Sequence, residues 1–419
     1  MTIASMVARL MQESPPIRFE AYDGSALGPA DSPVTMRLKN ERGLRFMVTA
    51  PGDLGAARAY VSGDLDLDGV PPGDPYEVMR LLGGWRFHRP GVVEAAQLAR
   101  ELGWRRLVPP EPPPQETLPR WRRVAEGLRH SRHRDAESIT HHYDVSNAFY
   151  EKVLGPSMAY TCAVFLKEDA SLEEAQEEKF DLVARKLGLQ PGMRLLDVGC
   201  GWGGMVRHAA KHYGATAVGV TLSAQQASWA TAAIAEQGLS ARAQVLHRDY
   251  RDSPGAGYDA ISSIGLLEHV GVEQYPAYFQ FMHRKLRDGG RLLNHSITRA
   301  HNDTRVSTGH FIDRYVFPDG ELTGSGRIIT AAQDAGFEVR HAENLREHYA
   351  LTLAHWSVNL AQNWDACVDD VGEATARVWG LYMAGSRLGF ETNEVQLHQV
   401  LGVKVPSAGD ARYPLRATW

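Results

Sequence analysis

The sequence predicts an α/β fold, a parallel sheet with helices on both faces, preceded by a smaller α+β domain. Three observations carry that reading. From Ser171 onward, helix-like and strand-like segments alternate. A glycine cluster joins the first strand of this alternation to a helix. Before it, residues 1 to about 105 show short apolar runs broken by GD and PG turns instead.

In chain order, residues 1–107 form the N-terminal accessory domain, with one or two short helices between Glu77 and Leu102. The stretch VPPEPPPQETLPR, 108–120, carries six prolines and reads as a semi-rigid linker. A basic run follows, RWRRVAEGLRHSRHRD, with Arg120, Arg122, Arg123, Arg129, Arg132 and Arg134. It suits a solvated helix face or a contact with anionic headgroups. Linker and basic run together span 108–137, and residues 138–419 form the C-terminal domain. There Ser171 and Glu174 make a capping box, opening a helix with Phe180, Val183 and Leu187 on its apolar stripe. RLLDV is apolar enough for a strand covered on both faces. A helix to Tyr213, the strand AVGV, a helix from about Ser223, the strand YDAISSI, a helix from about Gln274 to Leu286 and the strand RLLNHSI continue the alternation.

Composition narrows the function. The chain of 419 residues is 43% hydrophobic and 23% charged, with a net charge of −5, which argues against general nucleic-acid binding. Cys162, Cys200 and Cys367 are widely spaced with no CxxC pair, so neither a disulfide framework nor a structural zinc site is expected. Arg9 interrupts the apolar N-terminus, so no signal peptide is expected, and no apolar run of about 18 residues would span a bilayer. The expectation is a cytoplasmic protein.

LDVGCGWGG, 196–204, places Gly199, Gly201 and Gly203 between strand and helix, where backbone without Cβ lets a ligand approach. The spacing also satisfies the dinucleotide pattern through Gly204. Two details favour S-adenosylmethionine in a Rossmann-like sheet. Asp197 would repel a pyrophosphate but attract a cationic amino group. The next strand end, GVTLSAQQ, lacks the acid that a dinucleotide ribose needs. Thr221, Leu222, Ser223 and Gln226 stand there, and Thr221 and Ser223 equally suit N-capping of the next helix. Asp249 and Tyr250 stand at the following strand end, where adenine would be flanked.

The runs HHYDVSNAFY (141–150), AYTCAVF (159–165), LDVGCGWGG, GVTLSAQQ, DYRD (249–252), LLEHVG (266–271), LLNHSI (292–297), RYVFPDGEL (314–322) and HYALTL (348–353) resemble, in order, the motifs of the cyclopropane-fatty-acyl-phospholipid synthase family. The resemblance covers about 138–403. It implies a class I methyltransferase sheet with an apolar lid, acting on a cis double bond of an unsaturated acyl chain, often phospholipid-bound. The alkene attacks the sulfonium methyl, and the resulting carbocation loses a proton to a bound bicarbonate. The resemblance maps the bicarbonate cradle onto Cys162, Glu268, His295, Ile297 and Tyr349, with Cys162 and Ile297 offering mainly backbone. It turns Tyr160 and Thr161 toward the cofactor and puts Tyr143 in the closing loop.

Proton loss from the new methyl gives a cyclopropane; a hydride shift first gives a methylene branch, which a downstream reductase would reduce. LNHSITR and RYVFPDGELTGSGRI look closer to actinobacterial branch-forming relatives, and the two products stand nearly even. Peripheral contact with the inner face of the membrane is expected, with lid material between His310 and Trp379; a homo-oligomer is also admitted. The rivals are a small-molecule or protein methyltransferase, a lipid-binding protein with a dead methyltransferase fold, and an NAD oxidoreductase. Taken singly, Cys162 and His295 read more often as core cysteine and structural histidine, and Glu268 also suits a helix-start carboxylate.

Overall fold

The computed structural model describes residues 2–11, 13–83, 88, 91–117, 146–303, 309–317 and 320–419. Tyr143, most of the HHYDVSN run and the basic stretch from Arg120 to Arg134 lie outside the described residues. The chain forms two compact units. The first comprises Met1–Arg120, Gly309–Pro318 and Trp356–Leu388; the second comprises Trp121–Thr308, Asp319–His355 and Gly389–Trp419. Two segments from the C-terminal part of the sequence thus belong with the N-terminal residues.

In the first unit, β1 (Arg18–Ala21), β2 (Ala26–Leu27), β3 (Thr35–Leu38) and β4 (Leu65–Asp68) form a sheet in the order β2-β1-β3-β4. Around it run α1 (Ile3–Arg9), α2 (Glu41–Thr49), α3 (Asp53–Val61), α4 (Tyr76–Leu82) and α5 (Val92–Leu102). Ile3, Met6, Phe19, Leu38, Leu44, Phe46 and Leu65 make the core. The proline-rich stretch departs from a free spacer. The side chain of Glu116 is fully buried and accepts from Arg58 Nε at 2.6 Å, with Arg314 as a second ion-pair partner and the Tyr315 hydroxyl donating at 3.2 Å. Backbone bonds fasten it further: Thr117 N donates to Arg314 O, and Arg314 Nε to Thr117 O, both at 2.8 Å. Prolines exclude helix and sheet, so the stretch docks through the buried Glu116 carboxylate and single backbone bonds at Thr117 instead.

The second unit opens with α6 (Asn147–Leu154) and α7 (Leu172–Leu187). Ser171 Oγ accepts from Glu174 N while the Glu174 carboxylate accepts from Ser171 N, the expected capping box, worth about 1 kcal/mol. Then come β5 (Arg194–Val198), α8 (Gly204–Tyr213), β6 (Thr216–Thr221), α9 (Ala224–Glu236), β7 (Ala243–His247), β8 (Tyr258–Ile264), α10 (Tyr275–Lys285) and β9 (Leu286–Arg299). After α11 (His310–Tyr315), which belongs to the first unit, come α12 (Ser325–Asp334) and β10 (Phe337–Asn344) of the second, α13 (Arg346–Gln362), which passes into the first unit at Trp356, α14 (Trp364–Val371) of the first, α15 (Glu373–Glu391), which returns to the second after Leu388, and β11 (Val395–Lys404).

The seven-stranded sheet runs β10-β11-β9-β8-β5-β6-β7. β9, β8, β5, β6 and β7 pair in parallel, and β5 is buried over its last four residues, as a strand covered on both faces must be. β11 corrects the expectation of a wholly parallel sheet: it runs antiparallel to both β9 and β10. Alternation of helix and strand fixes neither direction nor order, so the sequence pattern did not contain this. The aromatic stretch expected as lid material forms α13, where Leu353, Trp356 and Leu360 are fully buried, as in an ordinary packed helix. Among the described residues, no helix is long and apolar enough to cross a membrane.

Candidate active site

Between β5 and α8 the chain turns through Gly199, Gly201 and Gly203, whose φ values are +71°, +53° and +73°. These are left-handed conformations that glycine adopts without strain. Gly199 N and Cys200 N both donate to Val220 O at 3.0 Å, and Cys200 Sγ packs where a Cβ on Gly219 would come within 2.7 Å. The loop is therefore drawn tightly onto β6. A Cβ on Gly201 would meet no protein atom within 4 Å, so this backbone faces ligand space.

The cofactor candidates gather around that loop. Asp197 lies in register with Ser262, whose hydroxyl donates to Oδ1 at 2.6 Å; burial pushes the Asp197 carboxyl up to about 7. Thr221 Oγ1 donates to Gln226 Oε1 at 2.7 Å, and Ser223 Oγ accepts from Gln226 N, so the capping role is present. Leu222 O accepts from His247 Nε2 at 3.0 Å. Asp249 is paired with Arg251 at 2.6 Å, and the Tyr250 ring packs edge-on against Tyr278 and Phe281. The Tyr160 ring lies 6.0 Å from Tyr150, which packs 4.8 Å from Trp202 in the glycine loop. Thr161 Oγ1 accepts from Lys179 Nζ at 3.0 Å, and Thr161 O from Gln176 Nε2 at 2.9 Å.

One residue further on, hydrogen bonds and strand register connect Cys162 to Ile297 and Glu268, while His295 stands on β9 and Tyr349 on α13. Cys162 is fully buried, and its thiol lies 3.1 Å from Ala163 O and 3.8 Å from Leu345 O. Leu345 N donates to Leu397 O, and Leu397 stands opposite Ile297 across β11 and β9. Ile297 N donates to Glu268 Oε1 at 2.7 Å. His295 lies two residues before Ile297 and so shares its face of β9. Tyr349, one turn beyond Leu345 in α13, is buried, with its ring 4.5 Å from Phe390. The Ile297 N–H thus holds the Glu268 carboxylate, where the sequence reading turned it toward a bound anion.

Two atoms of this cluster are buried with no hydrogen-bond partner, Glu268 Oε2 and His295 Nε2. Each such atom needs a partner that the fold itself does not supply, and a small polar ligand would be one. Burial pushes the Glu268 carboxyl up to about 7. His295 is held well below its usual value, first by burial and then by the charges of Lys179 and Lys186, so its ring is neutral at pH 7. The Cys162 thiol is pushed far up by burial, which leaves no thiolate for nucleophilic attack. Cys162→Ser is therefore expected to keep turnover within about tenfold of wild type, measured as kcat; complete loss in a folded variant would point to a nucleophilic role instead.

Sequence reasoning missed the groups behind this cradle: Gln176, Lys179, Lys186, Ser262 and Gln399. Lys179 and Lys186 are buried side chains of α7, seven residues apart and hence on one face. That spacing on the apolar stripe of a helix was the available signal. Glu177, His208 and His212 on α7 and α8 bring one carboxylate and two imidazoles within 4.8 Å of one another, with Glu177 and His212 exposed.

A seven-stranded sheet in this order, with β11 reversed and a glycine loop after β5, is the fold of the class I methyltransferases that use S-adenosylmethionine. The chain belongs to the mycolic acid cyclopropane synthetase family, whose profile matches residues 130–400. It is 58% identical over 405 residues to a probable fatty acid methyltransferase of Mycobacterium tuberculosis, covering 96% of this chain and 95% of that one. With the cyclopropane-fatty-acyl-phospholipid synthase of Escherichia coli it shares 35% identity over 260 residues, 62% of this chain and 66% of the relative. The solved structure of the mycolic acid cyclopropane synthase CmaA1 complexed with SAH and CTAB is similar with a TM-score of 0.61 at 33% identity, over 67% of this chain and all of that one.

Proposed function

We propose that this enzyme transfers the methyl carbon of S-adenosylmethionine to the cis double bond of an unsaturated acyl chain, phospholipid-bound, and that bicarbonate held in the buried cradle is the base. The observation that carries this is the pair of orphan atoms, Glu268 Oε2 and His295 Nε2, each buried without a partner, with Glu268 tied to β9 through Ile297 N and His295 standing on that strand. S-adenosylmethionine supplies the electrophilic methyl group. An alkene has no proton to lose before attack, so the site needs no general base for the nucleophile; it needs dryness and one base for the transferred carbon. Buried Cys162, Tyr349 and Phe390 exclude water there. A neutral Glu268 carboxyl donates from Oε2 to an oxyanion, and the neutral His295 ring offers the second contact. Proton loss from the transferred carbon closes a cyclopropane, and a prior hydride shift gives a methylene branch. The position of the base relative to the cation selects between them.

Contact with a bilayer surface is supported by the first unit. Val92, Val93 and Trp104 are exposed at 89%, 73% and 72%, with exposed Arg100 and Arg105 beside them. Apolar side chains interleaved with arginines suit the interface of an anionic membrane. The double variant Val92→Asp, Trp104→Ser is expected to weaken co-sedimentation with anionic vesicles by about tenfold; unchanged sedimentation would remove this face from the membrane contact. The function itself is tested by incubating the enzyme with S-adenosylmethionine and vesicles containing oleoyl chains, then weighing the acyl methyl esters. A gain of one CH2 unit is expected, and no gain in mass would refute acyl-chain transfer.

A further inference from the structure

We infer that Lys186 and Gln399 form a positioning relay that fixes the tautomer of His295, keeping its proton on Nε2, where it faces the reaction site. The inference rests on the proposed role of His295 for its catalytic meaning, but its geometry stands independently. Glu343, Gln399 and His295 lie in one cross-strand row, since Glu343 pairs with Gln399 across β10 and β11, and Gln399 with His295 across β11 and β9. Gln399, His295 and Lys186 are all at most 1% exposed. Lys186 comes from α7, which places its ammonium against this row: it is ion-paired with Glu343 and donates to Gln399 Oε1 at 2.7 Å.

Donor and acceptor parity settles the rest. An ammonium only donates, so the Gln399 carbonyl oxygen must face Lys186. The Gln399 amide nitrogen then faces His295 Nδ1, at 3.1 Å, and an NH2 group also only donates. Nδ1 is therefore the acceptor, and the proton of the neutral ring sits on Nε2, the atom with no partner in the fold. The relay converts a buried lysine charge into an N–H donor aimed into the cradle. Lys186 and Gln399 touch neither cofactor nor substrate; they act through His295.

Gln399→Glu tests this with an almost isosteric change. A carboxylate accepts from Lys186 as before, but it also accepts at His295, which draws the ring proton to Nδ1 and leaves Nε2 bare. The direct readout is a long-range proton–nitrogen spectrum of the full-length protein labelled at its 17 histidines, with the His295 signal identified by its loss in His295→Gln. In wild type Nε2 is expected to carry the proton, and in Gln399→Glu Nδ1. The kcat of Gln399→Glu is expected to fall by about 100-fold, the cost of losing one preorganised donor, with adenosylmethionine affinity unchanged. Lys186→Arg keeps the donor toward Gln399 and is expected to retain the Nε2–H tautomer.

A wild-type ring protonated on Nδ1 overturns the relay, even if Gln399→Glu does not fold. So does a Gln399→Glu enzyme that shows the Nδ1 tautomer with undiminished kcat. Absence of acyl product from the wild type, with the Nε2 tautomer present, would count against the proposed function and leave the relay standing.

Discussion

Glu268→Gln is expected to lower kcat on unsaturated acyl chains by about 10³-fold while leaving adenosylmethionine affinity within about threefold of wild type. The amide keeps the shape of the side chain and its bond from Ile297 N, which spans 2.7 Å in the wild type. What it loses is the exchangeable proton at Oε2, the buried atom without a partner. The same substitution has an opposite effect on stability. Burial raises the folded carboxyl from 4.5 to about 7, so the wild type favours a neutral Glu268. The stability drawn from that neutral form is complete below pH 4.5 and is lost as pH rises through about 7. Glutamine has no such slope. Glu268→Gln should therefore gain on wild type between pH 5 and 8, by ~2 kcal/mol at the upper end, read from thermal unfolding across that range. A variant that binds the cofactor poorly, or one whose stability tracks wild type at every pH, would place Glu268 outside the buried cradle.

The second large effect concerns the proline-rich stretch. Glu116→Ala is expected to destabilise the first unit by about 3–5 kcal/mol, because it leaves the guanidinium groups of Arg58 and Arg314 without their carboxylate. Those side chains are only 13% and 14% exposed, so water compensates them poorly. The loss is read by denaturant unfolding of the full chain, followed with a tryptophan probe, and by faster proteolysis between residues 108 and 117. A change within about 0.5 kcal/mol would mean that the stretch is the plain linker its composition implies. Glu116→Gln separates charge from packing, since it retains hydrogen-bonding atoms in the same volume.

The parts of the fold that local chemistry dictates were legible in the residues. Ser171 and Glu174 announced α7, the LDVGCGWGG run announced the turn from β5 to α8, and unbroken apolar character announced buried strands. The direction of β11 was not legible, because VQLHQVLGVK reads the same in a parallel or an antiparallel pairing. Glu116 was missed for a different reason: its meaning depends on Arg58 and Arg314, far away in the chain.

The same contrast holds at the site. Glu268, His295, Ile297, Cys162 and Tyr349 were proposed through motifs, and the bonds linking Cys162 to Leu345, Leu345 to Leu397 and Ile297 to Glu268 connect three of them. Lys186 and Gln399 escaped because a lysine in a helix reads as a solvated residue and a glutamine in a strand as neutral. Only the register of β9, β10 and β11 sets Glu343, Gln399 and His295 in one row beneath Lys186. Capping was the visible half of Thr221 and Ser223, and Asp197 turned out to be tied to Ser262.

The central claim is that a base in this cradle removes a proton from the carbon that has just been transferred. Supplying S-adenosylmethionine with a fully deuterated methyl group, and weighing the acyl product from oleoyl vesicles, tests it directly. The expected product carries two of the three deuterium atoms on the added carbon, the third having left with the base. An acyl product that keeps all three, or label found only on a molecule other than the acyl chain, would contradict it.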